Sequence, residues 1–207
     1  LSCGRTDDAR QAYEHALQAA PRNPRHWTSV GSFYFGQRKY EKALVHYKKA
    51  ISLRPDHSKA HASLGRAYHE VGDYAAAVRH YRKAIDLTPA DGRLRNDLGN
   101  TFYILNDFES AVQSYRNAVT RAPGFADAHS NLAAAAFQLR RYQEAIDHGR
   151  KAVDLQPDMV DAYLNMGAAC RELGRMDRAK ACFQKVLELN PNDPQAPTIR
   201  QWLEDHP

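Results

Sequence analysis

The sequence has no long apolar run. None of its 207 residues lies in a stretch approaching the ~18 uninterrupted apolar residues of a membrane helix, so no helical membrane span is expected. Cysteine is scarce as well. Cys3, Cys170 and Cys182 include no C-x-x-C pair, which argues against both a disulfide framework and a thiolate zinc site and makes reduced thiols the expectation. Leu1-Ser2-Cys3-Gly4 is faintly similar to a lipoprotein processing site but lacks the charged and apolar segments of one, so a position inside a repeat is the preferred reading. Neither sign of charge dominates: 29 Lys and Arg against 24 Asp and Glu leave a scattered formal net charge of +5, so no nucleic-acid partner is expected.

Motifs of catalysis are also missing. There is no glycine-rich phosphate loop, no G-x-S-x-G elbow and no H-E-x-x-H helix; His69-Glu70 is followed by Val71-Gly72-Asp73, without the last ligand. The expectation is a protein that is not an enzyme and that needs no cofactor and no metal.

What the chain does have is a period. Pro21, Pro55, Pro89, Pro123, Pro157 and Pro191 stand 34 residues apart each time. Self-similarity at this spacing means that each unit is a small supersecondary element unable to bury its apolar face alone, so the units must stack. Within one unit, Trp27, Val30, Gly31 and Tyr34 form one apolar stripe and Tyr40, Ala43, Tyr47 and Ala50 another, at intervals that place each on one face of a helix. The next unit repeats the pattern with His61, Leu64, Gly65 and Tyr68, then Tyr74, Ala77, Tyr81 and Ala84, and Gly72-Asp73 separates its helices.

Small residues recur at Gly31, Gly65, Gly99, Ala133 and Gly167, opposite Ala43, Ala77, Ala111, Ala145 and Ala179. Glycine inside a helix costs ~1 kcal/mol against alanine, so its recurrence marks a close approach of two helices. The rings of Tyr34, Tyr68, Phe102, Tyr47, Tyr81, Tyr115 and Phe183 are read as the core around those approaches. In the fourth unit Ala133, Ala136 and Gly149 replace two of the usual rings, leaving a thinner core that either the neighbours fill or that makes this unit a soft joint.

This pattern resembles the tetratricopeptide repeat family over nearly the whole chain. First helices are expected near 24–37, 58–71, 92–105, 126–139 and 160–173, and second helices near 40–53, 74–87, 108–121, 142–155 and 176–189. The resemblance implies an all-α fold, a right-handed superhelical α-solenoid of helix-turn-helix repeats. Residues 1–21, with Ala9, Tyr13 and Ala16, match the second helix of a truncated unit; 22–193 hold five units; 194–207, with Ile199, Trp202 and Leu203, read as a capping helix. Gly4 falls where later repeats turn, so a turn is expected there and the chain reads as a fragment.

The histidines invite a metal reading that the repeat argues against. His57 and His61 are four apart, but His57 falls in the inter-repeat loop and His61 at a packing position. His46, His80 and His148 share one place in three repeats, with Ser114 and Cys182 in the others. Stacked helices stand on the order of 8–10 Å apart, so these rings are read as packing beside the core tyrosines with one nitrogen wet. Lys48-Lys49, Arg82-Lys83 and Arg150-Lys151 late in second helices, with acids early, complement the helix dipole.

In the family resembled, the first helix of each unit lines a concave groove. That implies a peptide-binding face carrying Arg25 and Ser32; Lys59, Arg66 and His69; Arg93, Asn96, Asn100 and Tyr103; Asp127, Asn131 and Phe137; and Asp161 and Asn165. The leading position runs Arg25, Lys59, Arg93, Asp127, Asp161 and so changes sign along the array. Asn131 and Asn165 at equivalent places can donate and accept at once, which suits a peptide backbone. The stretch Gly124 to Ala133 resembles repeats of the O-linked N-acetylglucosamine transferase superhelix, whose groove asparagines grip extended peptides, although Ser29, Ser63 and Asp97 stand at the earlier asparagine places.

The function expected is a non-catalytic scaffold that binds a partner protein or extended peptide, acidic at the N-terminal end of the groove. The alternative is the substrate-recruiting region of a larger enzyme such as a glycosyltransferase. A lipid-anchored or periplasmic assembly factor, with a signal segment upstream of Leu1, is a third alternative. Self-association through the truncated first unit is left open, as is the compartment, with the cytoplasm favoured slightly over a periplasmic or lumenal location.

Overall fold

Helix starts are set locally. The Asn23 side chain accepts from the Arg25 N–H, Asp73 from Ala76, Asp91 from Arg93 and Asp107 from Ser110, each satisfying a backbone donor that a helix N-terminus leaves unpaired. Chain reversals recur as well. Arg38, Gly72, Asn106, Arg140 and Gly174 all have φ between 57° and 81°, and the next residue's N–H reaches back to Tyr34, Tyr68, Phe102, Ala136 and Cys170 respectively. This left-handed termination satisfies carbonyls that would otherwise be orphaned.

The computed structural model describes the backbone of residues 2–206 and the side chains of 11–206; the side chains of Cys3 and Ala9 lie outside the described residues. There are twelve helices and no strand among them. α1 (Ser2–Ala19) comes first. First helices of the repeats are α2 (Pro24–Gly36), α4 (Ser58–Glu70), α6 (Gly92–Ile104), α8 (Ala126–Gln138) and α10 (Val160–Glu172). Second helices are α3 (Tyr40–Leu53), α5 (Tyr74–Leu87), α7 (Phe108–Arg121), α9 (Tyr142–Leu155) and α11 (Met176–Leu189), and α12 (Ala196–Asp205) ends the chain. At Gly4, where a turn was expected, α1 continues as unbroken helix.

The chain forms an all-α solenoid of helix-turn-helix repeats that divides into two compact units, one through Thr101 and one from Phe102. In the first, α2 packs on α3 and α4 on α5. A Cβ built on Gly31 would stand 2.5 Å from the Tyr47 ring, and one on Gly65 2.9 Å from Tyr81. The glycines are therefore what lets each ring lie against the facing helix backbone. Tyr47 with Ala43, Leu64 and Ala67 is buried among Tyr34, Phe35, Leu44, Ile51 and Tyr68, each ring contributing ~1.5–3 kcal/mol from apolar burial.

In the second unit Tyr115, Val112, Leu132 and Ala135 form one core cluster. A second runs from Ala136 and Ile146 through Cys170 and Phe183 to Ile199 on α12, with Trp202 and Leu203 packed against it. Trp202 meets Phe183 edge-on at 5.1 Å. The ring missing at Gly149 is made good by a neighbour, since a Cβ there would collide with Met166 of α10. Cys170 and Cys182 are both free thiols; burial raises the pKa of each, and burial together with the Cys170 neighbour pushes Cys182 up to about 11.

Three outcomes follow from this packing. Gly31→Val should destabilise the fold by about 1–3 kcal/mol through overpacking against Tyr47, whereas Gly36→Ala, with nothing within 4 Å, should gain up to about 1 kcal/mol; denaturant unfolding measures both. Maleimide labelling of Cys182 in the native chain at pH 7.5 should run at least about tenfold slower than in the unfolded chain, since the thiolate is the reactive form.

Candidate peptide-binding groove

The face expected to bind is built from the first helices, and α2 packs on α4 in the first unit and α8 on α10 in the second. Arg25, Lys59 and Arg93 are each the second residue of their helix, and all are exposed. None forms an ion pair among the described residues. Two of them bear on His57, the residue capping α4: burial lowers its pKa first, then the charges of Arg54, Arg25 and Lys59. In the second unit Asp127 and Asp161 take the corresponding places on α8 and α10 and are also exposed.

A polar cluster lies deeper in the first unit. The Tyr47 hydroxyl donates to Ser32 Oγ at 3.3 Å, and Ser32 donates to the Thr28 carbonyl at 3.0 Å. Arg66 lies 3.6 Å from Asp97. Burial raises the Asp97 pKa and Arg66 partly opposes it, while burial and the Asp97 charge raise the Tyr81 phenol. Thr101 donates to the Asp97 carbonyl, so its oxygen is left to accept from His69 Nδ1 at 3.0 Å. Ser32, Arg66 and His69 thus share one network with Asp97 and two tyrosine hydroxyls.

The remaining expected residues are placed less uniformly. Asn100 is half-buried, but Asn96 is buried at 5% exposure, which withdraws its amide from any ligand. Its position is buried in other repeats too, where Thr28 and Ser130 stand, so register and not chemistry decides. In the second unit Tyr103 is edge-on to Phe108 at 5.2 Å and its oxygen accepts from Gln138. Phe137 packs on Tyr142 at 5.5 Å, and Asn131 and Asn165 are half-buried.

Sequence reading missed the phenol oxygens. Tyr47 and Tyr81 look like core rings, and they are, but both hydroxyls reach the polar cluster. The signal was tyrosine, and not phenylalanine, at a core ring position, since a buried phenol needs a partner for its O–H.

Profiles described as tetratricopeptide repeat match residues 22–90, 96–160 and 160–193. No curated protein sequence matches. Among solved structures, YrrB, described as a TPR protein with an unusual peptide-binding site, is similar at a TM-score of 0.78 and 19% identity, over 92% of this chain and 98% of that one. Pseudomonas aeruginosa pilF is similar at 0.76 and 20%, over 90% and 87%. MamA from Desulfovibrio magneticus RS-1 is similar at 0.75 and 22%, over 83% and 97%.

Asp97 supplies a test of the cluster. A carboxyl whose folded pKa stands above its unfolded value opposes folding at higher pH, and that opposition disappears as pH falls through the folded pKa. Arg66→Ala should raise Asp97 further, so its loss of stability against the parent should be largest near pH 7.5 and shrink toward pH 4. A penalty independent of pH, measured by denaturant unfolding, would show that the two are not coupled.

Proposed function

Because the chain belongs to the tetratricopeptide repeat family, we propose that it is a non-catalytic protein-interaction scaffold that holds an extended segment of a partner along its first-helix face, with the acidic part at the first unit. Arrays of this kind present an extended surface made of many repeats, and the peptide-binding site named for YrrB supports the same use of the fold.

The observation that carries the reading is the placement of Arg25, Lys59 and Arg93. Each is the second residue of a helix, where the positive end of the macrodipole disfavours a cation. Each is exposed and without an ion pair among the described residues. Three cations at an electrostatically unfavourable position, none of them in an ion pair among the described residues, support a role in meeting an anionic ligand. Asp127 and Asp161 occupy the favourable sign for the same position and give the second unit the opposite preference.

An acidic, fluorescein-labelled peptide in polyglutamate context is the direct probe. Fluorescence anisotropy at low salt should show binding that weakens with added salt and falls by about tenfold or more when Arg25, Lys59 and Arg93 are all changed to glutamate. Circular dichroism should show unchanged helicity. Equal binding by parent and variant at low salt would remove the role assigned to these residues.

A further inference from the structure

Two pairs of imidazoles lie outside the groove network, one in each unit, and they are copies of each other two repeats apart. His61 Nδ1 stands 3.1 Å from His80 Nδ1, and His129 Nδ1 stands 3.0 Å from His148 Nδ1. The ring centroids are 5.3 and 5.2 Å apart and the interplanar angles 29° and 26°. In each pair the inner ring comes from the first helix of the repeat and the outer from its second.

The inner rings are fixed the same way. His61 Nε2 is 2.9 Å from the Pro55 carbonyl and His129 Nε2 is 3.1 Å from that of Pro123. A carbonyl only accepts, so Nε2 carries the proton and the lone pair is on Nδ1, facing the partner imidazole. An imidazole held by its far N–H on a backbone carbonyl is the arrangement that metal-binding histidines usually have.

We propose that these two pairs are bidentate binding sites for a divalent late first-row transition ion such as Zn²⁺, Ni²⁺ or Cu²⁺, with water in the remaining coordination positions. Two nitrogens held ~2.0–2.1 Å from one ion stand about 2.9 Å apart at a right angle and about 3.4 Å at the tetrahedral angle, and the observed separations fall between these. In the metal-free protein the outer imidazole donates its Nδ1–H to the inner one. On binding, that proton moves to the outer ring's own Nε2, so both rings stay neutral, each gives one lone pair to the ion, and no proton leaves the protein. The inner rings are 6% exposed and the outer ones half-buried, which leaves a side for water. No group of three or more His, Cys, Asp or Glu assembles among the described residues, so the protein supplies two ligands per ion.

The first repeat is an internal control. There Trp27 occupies the inner place, stacks on His46 at 5.6 Å, and leaves His46 Nδ1 buried without a partner. The two sites also differ. Tyr68 covers His80 at 5.6 Å, and the charges of Arg79 and Lys48 bear on it, opposed by Asp73; beside His148 stand Glu144 and Asp147, opposed by Arg116, while Lys151 bears on His129. A cation should therefore enter the His129–His148 pair first.

The test uses the full chain without a histidine tag, made metal-free and titrated with NiCl₂ by calorimetry. Two ions per chain should bind, the tighter lost in His148→Gln, the weaker in His80→Gln, both in the double variant, and neither in His46→Gln. Unchanged stoichiometry in a folded double variant would overturn the proposal, as would no binding by the parent up to millimolar Ni²⁺. Should a variant not fold, electron paramagnetic resonance of the parent with one equivalent of Cu²⁺ decides: splitting from two imidazole nitrogens supports the pair, and splitting from one or none refutes it.

Discussion

The close approach of two helices across a glycine is the contact on which each intact repeat depends. Where Gly31, Gly65 and Gly167 omit a side chain, Tyr47, Tyr81 and Phe183 lie against the bare backbone. The same contact that excludes water from the repeat also fixes how far the second helix reaches toward the first-helix face. For Tyr47 and Tyr81 that reach ends in a hydroxyl, so the groove's buried polar network is a by-product of how the core is closed. Packing and recognition are therefore not separable in the first unit, because the ring that fills the core also orients Ser32 or feels Asp97.

Much of this was legible in the sequence because repetition converts weak local signals into a strong one. Second-helix bounds follow from the spacing of Tyr40, Ala43 and Tyr47 and their counterparts, and they agree with the structure residue for residue; the first helices stop one residue sooner, at Gly36, Glu70, Ile104, Gln138 and Glu172. That last residue is given up to the left-handed turn, whose 34-residue register is clear only once the φ values are seen. Glycine marks two of the five turns, but Arg38, Asn106 and Arg140 serve in the others, and nothing in an arginine announces such a turn.

The parts that were not legible share a cause: they are relations between two helices whose relative rotation a one-dimensional pattern does not specify. His80 and His148 looked like rungs of one ladder, whereas each is matched with His61 or His129 from its own repeat, 19 residues earlier. Asn96 looked like a groove residue from its spacing, yet a few tens of degrees of rotation about the α6 axis decide whether such a side chain is wet or buried, and it is buried. The two errors are opposite in sense, one separating residues that meet and the other exposing a residue that does not reach solvent.

Met166 has a consequence for which substitutions the fold accepts. In the other repeats the space between helices is filled by a flat ring with two torsions, but at Gly149 it is filled from the neighbouring helix by an unbranched thioether with three. A filler of that sort adapts its rotamer to the hole it occupies, so this layer should tolerate a change of side-chain volume that the ring-filled layers would not.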